Sequence, residues 1–246
     1  MNDFRYYRPN PFPPVVKNLL IINALVFVAQ LILQSKQLTE RLMLYPILPK
    51  SEILTRFIDE AYGASYYGFQ PFQIFTHMFA HSPNLIFHII FNMLMLWMFG
   101  RILENLWGPK RFLFFYLACG LGAAALHLAV QYFRAEQLIV ALETENIKAI
   151  AYNVGALGPA LGASGAVMGI MAAFAYLFPN TELMLIPIPF PIKAKWLVLG
   201  YVLLDLFGGF TKISGDNIAH FAHIGGAITG FIIVFIWNKT NRKTLY

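Results

Sequence analysis

Apolar runs of roughly 20 residues recur along the chain, each ended by proline, glycine or a cluster of charge, and at about 1.5 Å of rise per helical residue that length matches a bilayer core. Six runs are predicted as spans, at about 15–35, 84–106, 111–133, 158–178, 194–210 and 217–237. The fifth is short and ends on Gly208 and Gly209, as a loosely held helix would. The pattern therefore predicts an all-α membrane protein with a single six-helix domain over 15–237 and short tails at 1–14 and 238–246. The first run lies too far from Met1, and is too long, for a secretory signal, so it is expected to remain as an anchor.

Two polar segments interrupt this pattern. Residues 36–75 carry Leu42, Met43, Leu44, Ile47 and Leu48, then the aromatics Tyr62, Tyr66, Tyr67, Phe69, Phe72 and Phe75. Such a segment is expected to lie in the headgroup layer, anchored by its rings. Residues 134–157 alternate Leu138, Ile139, Leu142, Ile147 and Ile150 with Glu136, Glu143 and Glu145, which predicts an amphipathic helix on the surface between the third and fourth spans.

Composition agrees with the spans. Of 246 residues 58% are hydrophobic and 12% charged, against roughly 25% charged in a soluble domain. The single cysteine, Cys119, lies in an apolar run, which leaves no disulfide framework and no thiolate zinc site. The net charge of +6 is read as topology, with no nucleic-acid partner. One side of the predicted membrane holds Arg5, Arg8, Lys17, Arg101, Lys110, Arg111, Lys193, Lys195, Lys239, Arg242 and Lys243. The other holds Lys36, Arg41, Lys50, Arg56, Arg134, Lys148 and Lys212. The richer side should be cytoplasmic. The expected location is a cell membrane, the bacterial inner membrane, with both termini in the cytoplasm and spans two, four and six entered from the outer face.

Chemistry concentrates near those entry points. His88 and Asn92 are four apart and share one helix face in span two; Ser164 stands among Gly162, Ala163 and Gly165 in span four; His223 stands beside Ala222, Gly225 and Gly226 in span six. Polar groups at that depth face a cavity or a partner helix. A serine, a histidine to take its proton and further donors for an oxyanion are the parts needed for acyl transfer. Gly165 with Gly169, and Gly226 with Gly230, have the spacing that lets membrane helices approach closely. Asp205 in span five is the one carboxylate near this layer, and water exposure or a place at the site are both open to it, so the minimal reading is a Ser-His dyad. His77 and His81 sit at the boundary, with no further ligand to make a metal site. His220 has no assigned role.

Gly162-Ala163-Ser164-Gly165, Ala222-His223-Ile224-Gly225 and His88-x-x-x-Asn92 together resemble the signatures of the rhomboid intramembrane serine proteases, and Gly100-x-x-x-Glu104 and the long first loop match as well. The resemblance implies Ser164 as nucleophile, His223 as general base and then acid, and an oxyanion hole of His88, Asn92 and the Ser164 backbone N–H. It implies no cofactor, a place in the lipid bilayer, and substrates that are membrane proteins with helix-destabilised spans. Where some members place a tyrosine beneath the imidazole, this chain has Met168. The competing expectations are a catalytically silent rhomboid-like protein that binds membrane clients, and a small transporter using the histidines as a proton relay. Gly208 to Asn217 is expected to form a movable cap, with the fifth span, carrying Trp196, Phe207 and Phe210, as a lateral gate.

Overall fold

The computed structural model describes residues 9–33, 36–63, 66–184, 190–210 and 220–240. The expected cap beyond Phe210, the first residues of the sixth predicted span and the ends of both tails lie outside them. The described chain is mostly helical: α1 (Pro14–Ile32), α2 (Lys36–Leu42), α3 (Glu52–Tyr62), α4 (Gln73–Thr76), α5 (Ile86–Met95), α6 (Arg101–Trp107), α7 (Pro109–Glu143), α8 (Ile147–Asn153), α9 (Ser164–Leu177), α10 (Ala194–Phe210) and α11 (His220–Thr240). A two-strand antiparallel ladder, β1 (Glu182–Leu183) with β2 (Ile192–Lys193), joins α9 to α10. One π turn, Leu96–Gly100, links α5 and α6 into a single rod.

Among the described residues, four helices are long and apolar enough to cross a membrane: Pro14–Ile32, Ile86–Trp107, Pro109–Glu143 and His220–Thr240. Their outward faces carry large apolar side chains such as Leu25, Phe87, Phe133 and Ile232 in the open, which water would not tolerate in such number but lipid does. At the centre is α9, where every residue but Ser164 and Tyr176 is buried. From Gly165 to Ala173 it holds only Gly, Ala, Val, Ile and Met, and its glycines and alanines let α7 and α11 close on it. A Cβ on Gly230 would stand 2.5 Å from the Gly169 carbonyl oxygen, and one on Gly226 would collide with the Gly165 carbonyl. Backbones meet there because neither helix has a side chain to hold them apart.

Gly100 and Glu104 anchor α1. A Cβ on Gly100 would touch Phe112 and Val16 at 3.1 Å, so the glycine lets α1 approach. The buried Glu104 carboxylate then accepts the Val15 and Val16 N–H groups at 2.8 and 2.7 Å, satisfying donors that a helix start leaves without partners and placing negative charge at the positive end of the dipole.

Two predicted boundaries are corrected. The fourth helix begins at Ser164 rather than near 158, because Gly158-Pro159 and Gly162, with φ +126°, do not continue a helix. The predicted surface helix over 134–157 is not a separate element: α7 runs on without a break to Glu143, and the chain turns at Glu145, φ 50°, into α8 and one 3₁₀ turn. Leu138 and Leu157 pack with Leu54 and Ile58 of α3, with Leu142 and Ile150 beside them, whereas Ile147 is exposed. The apolar face thus holds the first loop onto the extended α7 rather than lying on lipid. Tyr66 likewise packs against Tyr45 and Tyr62, while Tyr62, Phe72 and Phe75 are the exposed rings of that loop.

Candidate active site

The loop before α9 is fixed from outside. Leu44 and Ala160 exchange both backbone hydrogen bonds, at 2.8 and 2.9 Å, and the Gly162 N–H donates to the His77 carbonyl at 2.9 Å. The donors' partner segment is itself held. The buried Gln73 amide accepts the Tyr45 N–H at 3.2 Å and donates to the Gly68 carbonyl at 3.3 Å, and Thr76 Oγ1 donates to the Leu42 carbonyl at 3.0 Å. Gln30 of α1 accepts the His81 N–H at 3.1 Å and donates to the His81 carbonyl at 3.0 Å. The long first loop is therefore the frame that places Gly162 and the start of α9.

Ser164 is the first residue of α9, so its own N–H and those just after it have no acceptor within the helix and stand at the positive end of the dipole. His223, in the first turn of α11, brings Nε2 to 2.8 Å from Ser164 Oγ. Nδ1 of the same ring lies 3.1 Å from both carboxylate oxygens of Asp205 on α10. Nδ1 of His220 lies 2.8 Å from Asp205 Oδ1. Asp205, left open between water and the site by its position in the chain, is buried at the site.

His88 enters from α5. A Cβ on Gly162 would stand 2.8 Å from His88 Nε2 and 3.5 Å from Ser164 Oγ, so both atoms border one spot that only glycine leaves open. The Ser82 N–H approaches His88 Nδ1 at 3.5 Å; with Nδ1 as acceptor, the tautomer assigned from these partners carries its proton on Nε2, facing that spot. Asn92, one turn on, is buried and donates to the His88 carbonyl at 2.8 Å, which accounts for one of its two N–H donors. Met168 is buried in the core.

Two further histidines, His77 and His81, stand beside the site. The His81 ring packs edge-on to His88 with centroids 5.1 Å apart, and burial, then the neighbouring His88, lowers the His81 pKa to about 4. Burial also lowers that of His77. Among the described residues no group of three His, Cys, Asp or Glu is arranged to hold a metal ion.

Gly208 and Gly209, expected at the start of the movable cap, lie instead in the last turn of α10 and serve close packing. A Cβ on Gly208 would meet the His220 ring at 2.5 Å, and one on Gly209 the Phe221 ring at 2.9 Å. Arg134, on the extended α7, donates from Nη2 to the Gly209 carbonyl at 2.6 Å and lies over the Phe221 ring at 5.4 Å. Trp196 and Phe207 face outward from α10.

Comparison with known proteins covers the segment in which these residues lie. A family model described as the Rhomboid domain matches residues 68–240. The chain is 28% identical over 164 residues to Rhomboid protein 1, mitochondrial, of Saccharomyces cerevisiae, covering 67% of this chain and 42% of that one. It is 32% identical over 162 residues to RHOMBOID-like protein 12, mitochondrial, of Arabidopsis thaliana, covering 65% and 44%. To Presenilin-associated rhomboid-like protein, mitochondrial, of Homo sapiens it is 28% identical over 166 residues, covering 65% and 38%. The match thus spans less than half the length of these relatives. All three are mitochondrial by name, and that finding overturns the expectation of a bacterial inner membrane, which rested only on charge counts that orient a chain without identifying its membrane; a multi-pass membrane protein stands.

Proposed function

The chain belongs to the rhomboid family, and from that premise we propose that it is an intramembrane serine endopeptidase. In this reading six spans cross the bilayer, the shorter α9 and α10 among them, with both termini on one face and the first loop on the other. The relatives' names support a mitochondrial membrane as its place. The substrates are membrane proteins, cut in or beside a spanning helix that Gly or Pro has weakened, because only an unwound strand exposes its carbonyl to the serine.

The observation that carries the reading is the 2.8 Å contact between Ser164 Oγ and His223 Nε2. Oγ attacks the scissile carbonyl carbon while Nε2 takes the hydroxyl proton. The carbonyl oxygen becomes an anion, and the Ser164 N–H, His88 Nε2–H and the Asn92 amide are the donors assigned to it. His223 then gives its proton to the departing amine, leaving an acyl ester on Ser164. A water molecule, deprotonated by His223, attacks that ester and frees both the new carboxyl terminus and the serine. No cofactor is required by these steps.

The test is cleavage of a single-span substrate by the detergent-purified protein, with a fluorophosphonate probe to label the nucleophile. Ser164→Ala and His223→Ala are each expected to abolish cleavage while the protein stays folded, and the probe to attach at Ser164. Turnover above background in Ser164→Ala rejects the nucleophile. A folded wild-type protein that neither cleaves nor labels belongs instead to the catalytically silent, client-binding class.

A further inference from the structure

Two imidazoles and one carboxylate meet where α10 passes the start of α11. His223 Nδ1 is 3.1 Å from each oxygen of Asp205, and His220 Nδ1 is 2.8 Å from Oδ1. The group is nearly sealed, with side-chain exposures of 8% for Asp205, 13% for His220 and 18% for His223. A carboxylate in such a setting is costly unless it is paired and hydrogen-bonded. Here both described partners are histidines of a single helix, three residues apart and so on one face.

The geometry determines the tautomer of His223. Ser164 Oγ, 2.8 Å away, delivers a proton to Nε2 only if Nε2 carries none, so the ring proton of the neutral imidazole sits on Nδ1. That N–H needs an acceptor, and the Asp205 oxygens are at hydrogen-bonding distance. When His223 takes the serine proton it becomes a cation in an apolar layer, and the same carboxylate offsets that charge. His220, bonded to Oδ1, keeps the carboxylate from turning away.

We propose that Asp205 is a positioning residue for His223, so that the site works as Ser164, His223 and Asp205 acting together, with His220 holding the carboxylate in place. Asp205 carries no proton at any step; it selects the tautomer and steadies the imidazolium. The proposal rests on the protease reading. The rival role is a pin, in which Asp205 merely ties α10 to α11. A pin affects folding but leaves the tautomer of His223 and the kcat of folded enzyme untouched.

The full chain in detergent micelles distinguishes the two. In Asp205→Asn, kcat for a single-span substrate is expected to fall about 10²-fold or more, towards the ~10⁴-fold loss known when a triad aspartate becomes an amide. KM should stay within about twofold, since substrate binding is not what is lost. Fluorophosphonate labelling of Ser164 should slow in parallel. In wild-type protein with ¹⁵N-labelled histidine, His223 should show a strongly downfield Nδ1–H resonance, absent in Asp205→Asn. His220→Asn should give a smaller fall in kcat with the resonance retained but shifted. Wild-type kcat in Asp205→Asn, or a wild-type His223 protonated at Nε2 with Nδ1 bare, overturns the proposal. If Asp205→Asn does not fold, the wild-type resonance alone decides. A wild-type protein that shows the Nδ1–H signal yet neither cleaves nor labels refutes the protease reading and leaves the orientation of His223 by Asp205 intact.

Discussion

Gly162 and His88 fit against each other because one of them has no side chain: a Cβ on Gly162 would stand 2.8 Å from His88 Nε2. The backbone reinforces the requirement, since Gly162 has φ +126°, a conformation that costs any other residue about 1–3 kcal/mol. Gly162→Ala is therefore expected to push His88 from the spot it shares with Ser164 Oγ. Probe labelling and kcat should both drop steeply while circular dichroism still reports the full helix content. Labelling at the wild-type rate would mean that His88 has room to move and no stake in the site.

Glu104 offers a contrasting case, a charged residue whose work is structural. Its two oxygens accept the Val15 and Val16 N–H groups at 2.8 and 2.7 Å. Glu104→Gln keeps the shape but loses the charge and one of the acceptors, and it should lower stability by about 1–3 kcal/mol. The measurement is thermal unfolding in detergent, paired with kcat corrected for folded protein, which should not change. A loss of kcat at unchanged stability would contradict the capping role.

What the sequence made legible follows from the physics of single helices. Ser164, His88 and His223 stand out because a polar residue in an apolar run needs a partner, and the glycines around them mark close approach. Asp205 stands out for the same reason, yet its partner was unreadable. The rotation of α10 against α11 is set by three-dimensional packing, through Gly208 on His220 and Gly209 on Phe221, and no periodicity within one helix encodes it. The start of α9 was misplaced because Gly158 to Ala163 is as apolar as a helix while its backbone is pinned to Leu44 and His77. The length of α7 was hidden for the opposite reason. Arg134 and Glu136 look like the end of a span, but the helix continues beyond the apolar run because α3 packs against it through Leu138.

Contact between α9 and α11 yields a paired prediction. A Cβ on Gly226 has no space against the Gly165 carbonyl, whereas one on Gly200 meets nothing within 4 Å. Gly226→Ala should destabilise by about 1–3 kcal/mol or more through overpacking. Gly200→Ala, in the middle of α10, should be neutral or stabilise by roughly 0.5–1 kcal/mol. Unfolding midpoints measured side by side suffice, and equal shifts in both would disprove the tight crossing.

Acid should weaken the fold through the histidines beneath the site. Burial holds His81 at a pKa of about 4 and lowers that of His77, against about 6.5 in an unfolded chain. The unfolded chain then binds protons first, so the stability owed to the neutral rings is complete above about pH 6.5 and is lost as pH falls towards 4. For His81 alone this is about 3 kcal/mol. Unfolding midpoints should be level from about pH 8 to 7 and fall below 6.5, and His81→Gln should flatten that slope. An equally steep slope in the variant would assign the acid sensitivity elsewhere.

The route of the substrate is the last test, and Asp205 sharpens it. If a substrate helix enters beside α10, as the outward-facing Trp196 and Phe207 suggest for a lateral gate, α10 must yield. Its C-terminal end is held by Arg134 on the Gly209 carbonyl at 2.6 Å, and Asp205 ties the same helix to His223 at 3.1 Å. A wide swing of α10 would therefore release the base at the moment of need, so any opening at the Phe207 end of α10 has to be reversed before chemistry. Bridging Phe207→Cys on α10 to Phe87→Cys on α5 with a bismaleimide should stop cleavage of a bilayer-embedded substrate. Probe labelling of Ser164 should continue at the uncross-linked rate, because the bridge keeps Asp205 on His223. Embedded substrate cleaved at the normal rate places the entrance elsewhere; labelling that collapses with cleavage shows that the bridge has distorted the site itself.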